Sequence, residues 1–376
     1  METRFIVHTN IKLNGHADEM CREAWEDFFA DLQCMFDIYD SDGAAFVRCD
    51  DIDWGSILLF GKADLEQEVH WGVPGYAYVD EVCSDCLANR TDKPFTDLRD
   101  TAEWVPTQDF DHETFMDRTH GNHPLVTSIY WNRFFVRIDM MHVFDHKGIT
   151  GIVCAGVLVD VVKNCTDLGR TIDERLQWVN AKLSDWNSRH VVSSRINNLK
   201  IDNLEFGGAT QWATLRGPLV KAANTRNLAP FVCSLAHELY GSRVDAWGKS
   251  IVGVTSELCH IYDIVYSGPM FLPAATRAEL RCATFSFGRH LMMLRQLSAA
   301  RGDLYFQVTP KCHMGMHIAS QACLLNPRFV QVYGEESLVG RLAKIWSASA
   351  QGRYQRTIQK TVLLKYLVAM AIILEL

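Results

Sequence analysis

No unbroken apolar run in this sequence reaches transmembrane length. Even the most apolar stretch, residues 362–374, is interrupted by Lys365, so membrane insertion is not expected. The opening residues 1–7 carry no secretory signal pattern, and the twelve cysteines show no dense regular spacing. Together these argue against a disulfide framework and for a reducing compartment. An overall positive charge is also missing: the formal net charge is −8, which at first sight argues against a nucleic-acid partner. The acidic run at residues 37–43 lacks the later ligands of a twelve-residue calcium loop, so an EF-hand is not expected and a turn beside an acidic patch is.

The chain holds 376 residues, 48% of them hydrophobic, enough for a large buried core in one large or two to three ordinary domains. Its charge is unevenly distributed. Residues 1–120 carry 27 Asp and Glu against 9 Lys and Arg, while the remaining 256 residues carry 18 against 28. The C-terminal two-thirds could therefore present either a phosphate-binding face or a merely mixed solvated surface.

Two spaced pairs concentrate the chemistry. Cys83-Ser-Asp-Cys86 is a CxxC, and His313-Met-Gly-Met-His317 places two imidazoles four residues apart, on one face if the segment is helical. Two thiolates and two imidazoles make the tetrahedral donor set that structural zinc prefers. Taken singly, each pair also reads as ordinary packing. Two carboxylates stand at matching offsets, Asp64 19 residues before Cys83 and Glu336 19 residues after His317. Between them lies Asp139-Met-Met-His142. Other cysteines, Cys154, Cys233 and Cys323, sit in apolar surroundings and are expected to be small buried hydrophobes.

In order and spacing these motifs resemble the core of the cut-and-paste DNA transposases with an RNase H-like fold and a long helical insertion, the group that includes CACTA and hAT elements and the recombinase of antigen-receptor genes. The resemblance covers roughly residues 50–345. It implies an α/β protein, an RNase H-like mixed sheet interrupted by a large all-helical insertion and carrying a structural zinc site. It assigns Asp64 as the second catalytic Asp and Glu336 as the last catalytic Glu, both holding catalytic Mg2+ or Mn2+. Asp139 and His142 form the Asp-x-x-His motif near the scissile phosphate, and Cys83, Cys86, His313 and His317 hold structural Zn2+. It further implies a nuclear protein acting on double-stranded DNA, with homo-oligomers possible. The first catalytic Asp has no good counterpart. Asp37, Asp40, Asp42, Asp50, Asp51 and Asp53 lie near the expected interval but outside any strand of the expected kind, which suggests that the opening strand precedes Met1 and that this chain is inactive as it stands.

Read in order, residues 1–60 form an acidic segment, with a strand at 4–8, an amphipathic helix at 17–36 and a buried strand at 56–61. Residues 61–170 form a partial RNase H-like core with a zinc-knuckle loop rich in turns; Trp71 and Trp104 are expected to serve packing. Within it a strand at 131–138 ends at Asp139, and residues 148–163 form a buried helix despite their β-branched side chains. Residues 171–305 form the helical insertion, with an apolar stripe at Ile172, Leu176, Val179 and Leu183 and a long helix or pair at 277–297. Leu291 to Leu294 are expected to be core. Residues 306–376 complete the core, with a strand at 329–333 before Glu336 and an apolar closing helix.

Three function classes follow. The first is a metal-dependent DNA nuclease or strand transferase, in which paired cations activate the nucleophile and stabilise the leaving oxygen. The second is a catalytically dead, transposon-derived DNA- or protein-binding protein. The third is a zinc-stabilised helical interaction protein in which Asp64 and Glu336 never meet.

Overall fold

The computed structural model describes residues 47–49, 52–54, 80–108, 112–119, 137–190, 194–206, 208, 210–217, 221–323 and 325–333. The chain divides into two compact units, residues 1–56 with 332–376 and residues 57–331. In the first, β1 (Val47–Cys49) pairs antiparallel with β2 (Ile52–Trp54), Val47 opposite Trp54.

The second unit is helical. Its elements are α1 (His112–Arg118), a π-helical turn (Met141–Asp145), α2 (Ile149–Asn164), α3 (Ile172–Arg189), α4 (Ala222–Tyr240), α5 (Ala246–Ser267), α6 (Ala274–Ala300), α7 (Pro310–Met316) and α8 (Ile318–Gln321). A two-residue ladder, β3 (Leu204–Glu205) with β4 (Thr214–Leu215), is inserted between α3 and α4.

The unit is built round α2, thirteen of whose sixteen residues are buried. A helix apolar on every side is stable only inside a fold, and α3, α4, α5, α7 and the β3–β4 ladder pack against it. Its many valines and isoleucines cost a few tenths of a kcal/mol each in helix propensity. Burying one such side chain contributes about 1.5–3 kcal/mol, so burial decides the conformation. Gly156 lets Phe306 approach: a Cβ there would stand 2.4 Å from the Phe306 ring. The one carboxylate in the last turns of α2 is fully engaged, Asp160 accepting from Tyr240 Oη at 2.5 Å, Trp247 Nε1 at 3.0 Å and Asn164 Nδ2 at 2.7 Å.

Around this rod the ends of the helices are set by local chemistry. A capping box starts α3, Thr171 Oγ1 accepting from Glu174 N at 3.2 Å while the Glu174 carboxylate accepts from Thr171 N. Leu176, Val179 and Leu183 form its buried stripe, with Ile172 half-buried at the start. Asp245 caps α5 through Gly248 N at 2.8 Å. At the far end of α5, Asn326 Nδ2 donates to the carbonyls of Val265, Gly268 and Pro269, satisfying acceptors that the helix leaves open. α5 and α6 then pack along each other across the 268–273 connection.

This architecture overturns the RNase H-like expectation. Among the described residues, strand structure is confined to the two-stranded pairs β1–β2 and β3–β4 and an isolated Asn89–Pro94 bridge. The segment ending at Asp139 carries no strand where it is described, at 137–139; residues 131–136 lie outside the described residues. The strand expected at 329–333 is not formed: Phe329 ends a 3-10 turn, Pro327–Phe329, started by Asn326 accepting from Arg328 N at 3.0 Å, and 330–333 carry no strand. The transposase resemblance, and with it the nuclease or strand-transferase activity, has no sheet to stand on. Motif order was matched without the β-pairing that would position the carboxylates. The helical expectations fared differently. Residues 149–163 lie in α2 with Gly148 as its N-cap, and 277–297 lie in α6.

Candidate metal centre

Two segments of the helical unit, more than two hundred residues apart, meet at one point. Cys83 and Cys86 lie in the irregular stretch 80–108, and His313 and His317 sit in the last turn of α7 and just past its end. All four side chains are buried, and their ligand atoms lie within 4.8 Å of one another. Cys83 Sγ is 3.4 Å from His317 Nε2, Cys86 Sγ is 3.2 Å from His313 Nε2, and the two Nε2 atoms are 3.1 Å apart. A tetrahedral ion with bonds of about 2.0–2.3 Å holds its ligands roughly 3.3–3.8 Å apart. These three separations agree to within a few tenths of an ångström.

The surroundings prepare the set. Backbone amides of Asp85 and Ala88 point at Cys83 Sγ and Cys86 Sγ, at 3.3 and 3.4 Å, the second-sphere donors that orient a sulfur ligand. Asn89 closes the turn beyond, its Oδ1 accepting from Thr91 N and Lys93 N. Trp104 is fully buried with its Nε1 donating to Asp97 O at 2.6 Å, and its ring stands edge-on to His313, centroids 4.5 Å apart, and 5.3 Å from His317. Gly315, between the two histidines, allows α7 to close on the core: a Cβ there would lie 2.4 Å from Ile149 Cδ1.

Outer contacts tie the centre to the fold. Gln321 on α8 donates to Asp85 Oδ2 at 2.9 Å and accepts from Ile138 N at 2.8 Å. Arg118 at the end of α1 donates to Cys83 O at 2.8 Å. Gln108 stands 3.3 Å from His317 Nδ1. With Nε2 on a metal, Nδ1 carries the proton and donates to the Gln108 amide oxygen, an orientation one half-turn of the amide away.

Electrostatics in the protein alone show what the cluster wants. Burial pushes the Cys83 thiol well above its ordinary value, and the neighbouring Cys86 adds to the rise. Burial also drives His313 well below the usual histidine range, helped by the charge of His317. At His317 burial pulls downward, but the charge and hydrogen bond of Cys83 outweigh it and the net shift is upward. His313 Nδ1 is buried without a hydrogen bond of standard geometry, the Phe95 backbone adding only a weak upward pull. The His313 imidazole is thus kept neutral, the state in which it ligates. A cation at the centre satisfies all four donors at once and relieves the penalty on the sulfurs. The residues fit a metal ion.

The remaining expected site residues divide. Asp64 and Glu336 lie outside the described residues, as do positions 37, 40, 42, 50 and 51; Asp53 falls in β2. Asp139 and His142 are described. The buried Asp139 carboxylate pairs with His142 Nδ1 and accepts from Met141 N at 3.0 Å, so it starts the π-helical turn and orients the ring. Of the three other cysteines, Cys154 is buried as expected, but Cys233 is half-buried and Cys323 exposed. The supports Gln108, Gln321, Arg118 and Trp104 were not foreseen as part of the site. Only Gly315, a small residue between paired histidines, carried a local signal.

Comparison with family models, with curated proteins and with solved structures finds no match to this chain. No helix among the described residues is long and apolar enough to cross a membrane.

Proposed function

We propose that the chain is a zinc-stapled helical interaction protein that works by binding. The observation that carries this reading is the closed four-ligand set, Cys83, Cys86, His313 and His317, all buried. Catalytic zinc keeps a position open for water or substrate, whereas four protein ligands close the shell. Paired thiolates with paired imidazoles in tetrahedral array select zinc over the harder divalent ions, which take oxygen ligands. The ion would fasten stretch 80–108, poor in regular structure, to the helical core at α7.

For the partner, we favour double-stranded DNA. Support comes from the basic excess after residue 120 and from α6, which carries Arg277, Arg281, Arg289 and Arg295 against the single acid Glu279. Arg281 and Arg289 are exposed. A nuclear location belongs to the same reading.

Metal analysis of the purified full chain tests the staple. About one equivalent of zinc is expected, absent from the Cys83→Ser plus Cys86→Ser variant; a full equivalent retained by that variant would refute the assignment. Fluorescence anisotropy on a short duplex tests the partner separately. Binding should weaken log-linearly with salt and fall in Arg281→Glu plus Arg289→Glu. No binding at low salt would remove DNA and leave the staple standing.

A further inference from the structure

Away from the metal centre, the α4–α5 contact brings two thiols together with a serine and a histidine. Cys233 lies on α4 and Cys259 on α5, both half-buried and so within reach of solvent. Ser256, which touches Cys233, stands one helical turn before Cys259, so the two thiols share the α4–α5 seam and each shifts the other's titration. Cys233 Sγ is 3.9 Å from Ser256 Oγ, which is 2.9 Å from His237 Nε2. His237 follows Cys233 by four residues and Ser256 precedes Cys259 by three, so each pair shares one helix face and the two faces meet.

We infer that Cys233 and Cys259 form a peroxide-reactive dithiol, a site of reversible disulfide formation across α4 and α5 in which Cys233 reacts first and Cys259 resolves it. The roles follow from the donors. His237 Nε2–H can donate to Ser256 Oγ, whose hydroxyl donates to the Cys233 sulfur. The Cys259 thiol, with Ser256, Thr255 and the nearby His237, brings Cys233 down to about 6 against the opposing effect of burial. Cys259, beside Cys233 and more deeply buried, is pushed up and stays a thiol. Cys154 on α2 is fully buried and also pushed up, which leaves it out of the exchange.

The oxidant is hydrogen peroxide. The Cys233 thiolate attacks one peroxide oxygen, an S–O bond forms as the O–O bond breaks, and the departing hydroxide takes a proton from solvent to leave as water. The Cys259 sulfur then attacks the sulfenic sulfur of Cys233. An S–S bond forms, the S–O bond breaks, and the second hydroxide leaves as water with the Cys259 proton. Two thiols lose two electrons, and one peroxide becomes two waters. Glutathione or another small thiol reverses the bond by exchange.

The test uses the metal-loaded full chain. It is treated with equimolar hydrogen peroxide, alkylated and digested without reduction, and the peptides carrying Cys233 and Cys259 should be found joined. In Cys259→Ser, a sulfenic acid trapped by dimedone should accumulate at Cys233. Oxidation of Cys83 or Cys86 falls in a different peptide and is read apart. Iodoacetamide gives a second measure on unmodified protein. Its lowered titration keeps Cys233 partly thiolate near neutral pH, while an acidic thiolate is intrinsically less nucleophilic. Cys233 should therefore react several-fold faster than Cys259, whose thiol is pushed up, an advantage reduced in Ser256→Ala. Equal rates at Cys233 and Cys259 would overturn the inference. So would oxidised Cys233 with no link to Cys259 in a chain whose circular dichroism is unchanged.

Discussion

His313 Nε2 and His317 Nε2 stand 3.1 Å apart, with Cys86 and Cys83 sulfurs 3.2 and 3.4 Å from them. Lone pairs at this spacing oppose one another unless a proton or a cation lies between. One proton can satisfy a single pair, whereas a divalent ion satisfies four donors and cancels its charge against two thiolates. The contact is therefore informative about folding as well as about metal, because the partners come from segments joined by little else of regular structure.

Chelation should act locally. Stretch 80–108 buries Val82, Leu98 and Trp104; a centre that fixes its placement predicts that hydrogen exchange shows its amides, such as Ala88 and Val105, losing protection when zinc is removed. Amides inside α2 should keep theirs. Uniform loss through α2, α5 and α6 would show that the metal holds the whole unit together and would sink the local picture.

Gln108 offers a finer probe. Gln108→Leu leaves all four ligands but removes the acceptor for His317 Nδ1. Zinc affinity, measured by competition with a chromophoric chelator, should fall about 10–100-fold. An unchanged affinity would mean that the ring is held by Trp104 packing alone.

Asp160→Leu tests the core. The change strips the acceptor from two buried donors, Tyr240 Oη and Trp247 Nε1, and should cost about 3–5 kcal/mol, read as a shift in urea midpoint. Zinc stoichiometry of the folded fraction should not change, since Asp160's partners Tyr240, Trp247 and Asn164 are none of the four cluster residues. A cost below about 1 kcal/mol would show that water replaces the carboxylate.

The four-residue cluster was legible in the sequence because thiolate and imidazole pairs at i,i+3 and i,i+4 specify donor geometry locally. The burial of α2 was legible because Ile149 through Val162 is apolar without a polar face. The sheet was misjudged for the opposite reason: apolar runs ending at Asp139 and near Val330 carry no information about their partners, and strand pairing depends on partners. Short apolar stretches fit strand, turn or buried coil equally well. Gln108 and Gln321 were invisible because their roles depend on contacts 209 and 236 residues away in sequence.

Alkaline stability should separate the metal-loaded chain from the stripped one. In the stripped chain Cys83 is held well above its ordinary value of 9.0, chiefly by burial and then by Cys86. A raised folded value stabilises below the unfolded value and is lost as pH climbs through the folded one. Above about pH 9 the unfolded thiol has released its proton while the folded thiol keeps it, so the folded state binds more protons and stability falls by up to about 1.4 kcal/mol per pH unit. With zinc bound, Cys83 is already a thiolate when folded. Below pH 9 the unfolded chain then holds the extra proton, stability rises toward that pH, and the Cys83 contribution levels off beyond it. Cys312 and Tyr262 are also raised by burial, but equally in both forms, so they cancel in the difference. Urea denaturation of the two forms from pH 7.5 to 10 should give curves that diverge with rising pH, the stripped chain falling more steeply. Parallel alkaline limbs would show that Cys83 does not change its protonation on metal binding, and the sulfur would have to be removed from the ligand set.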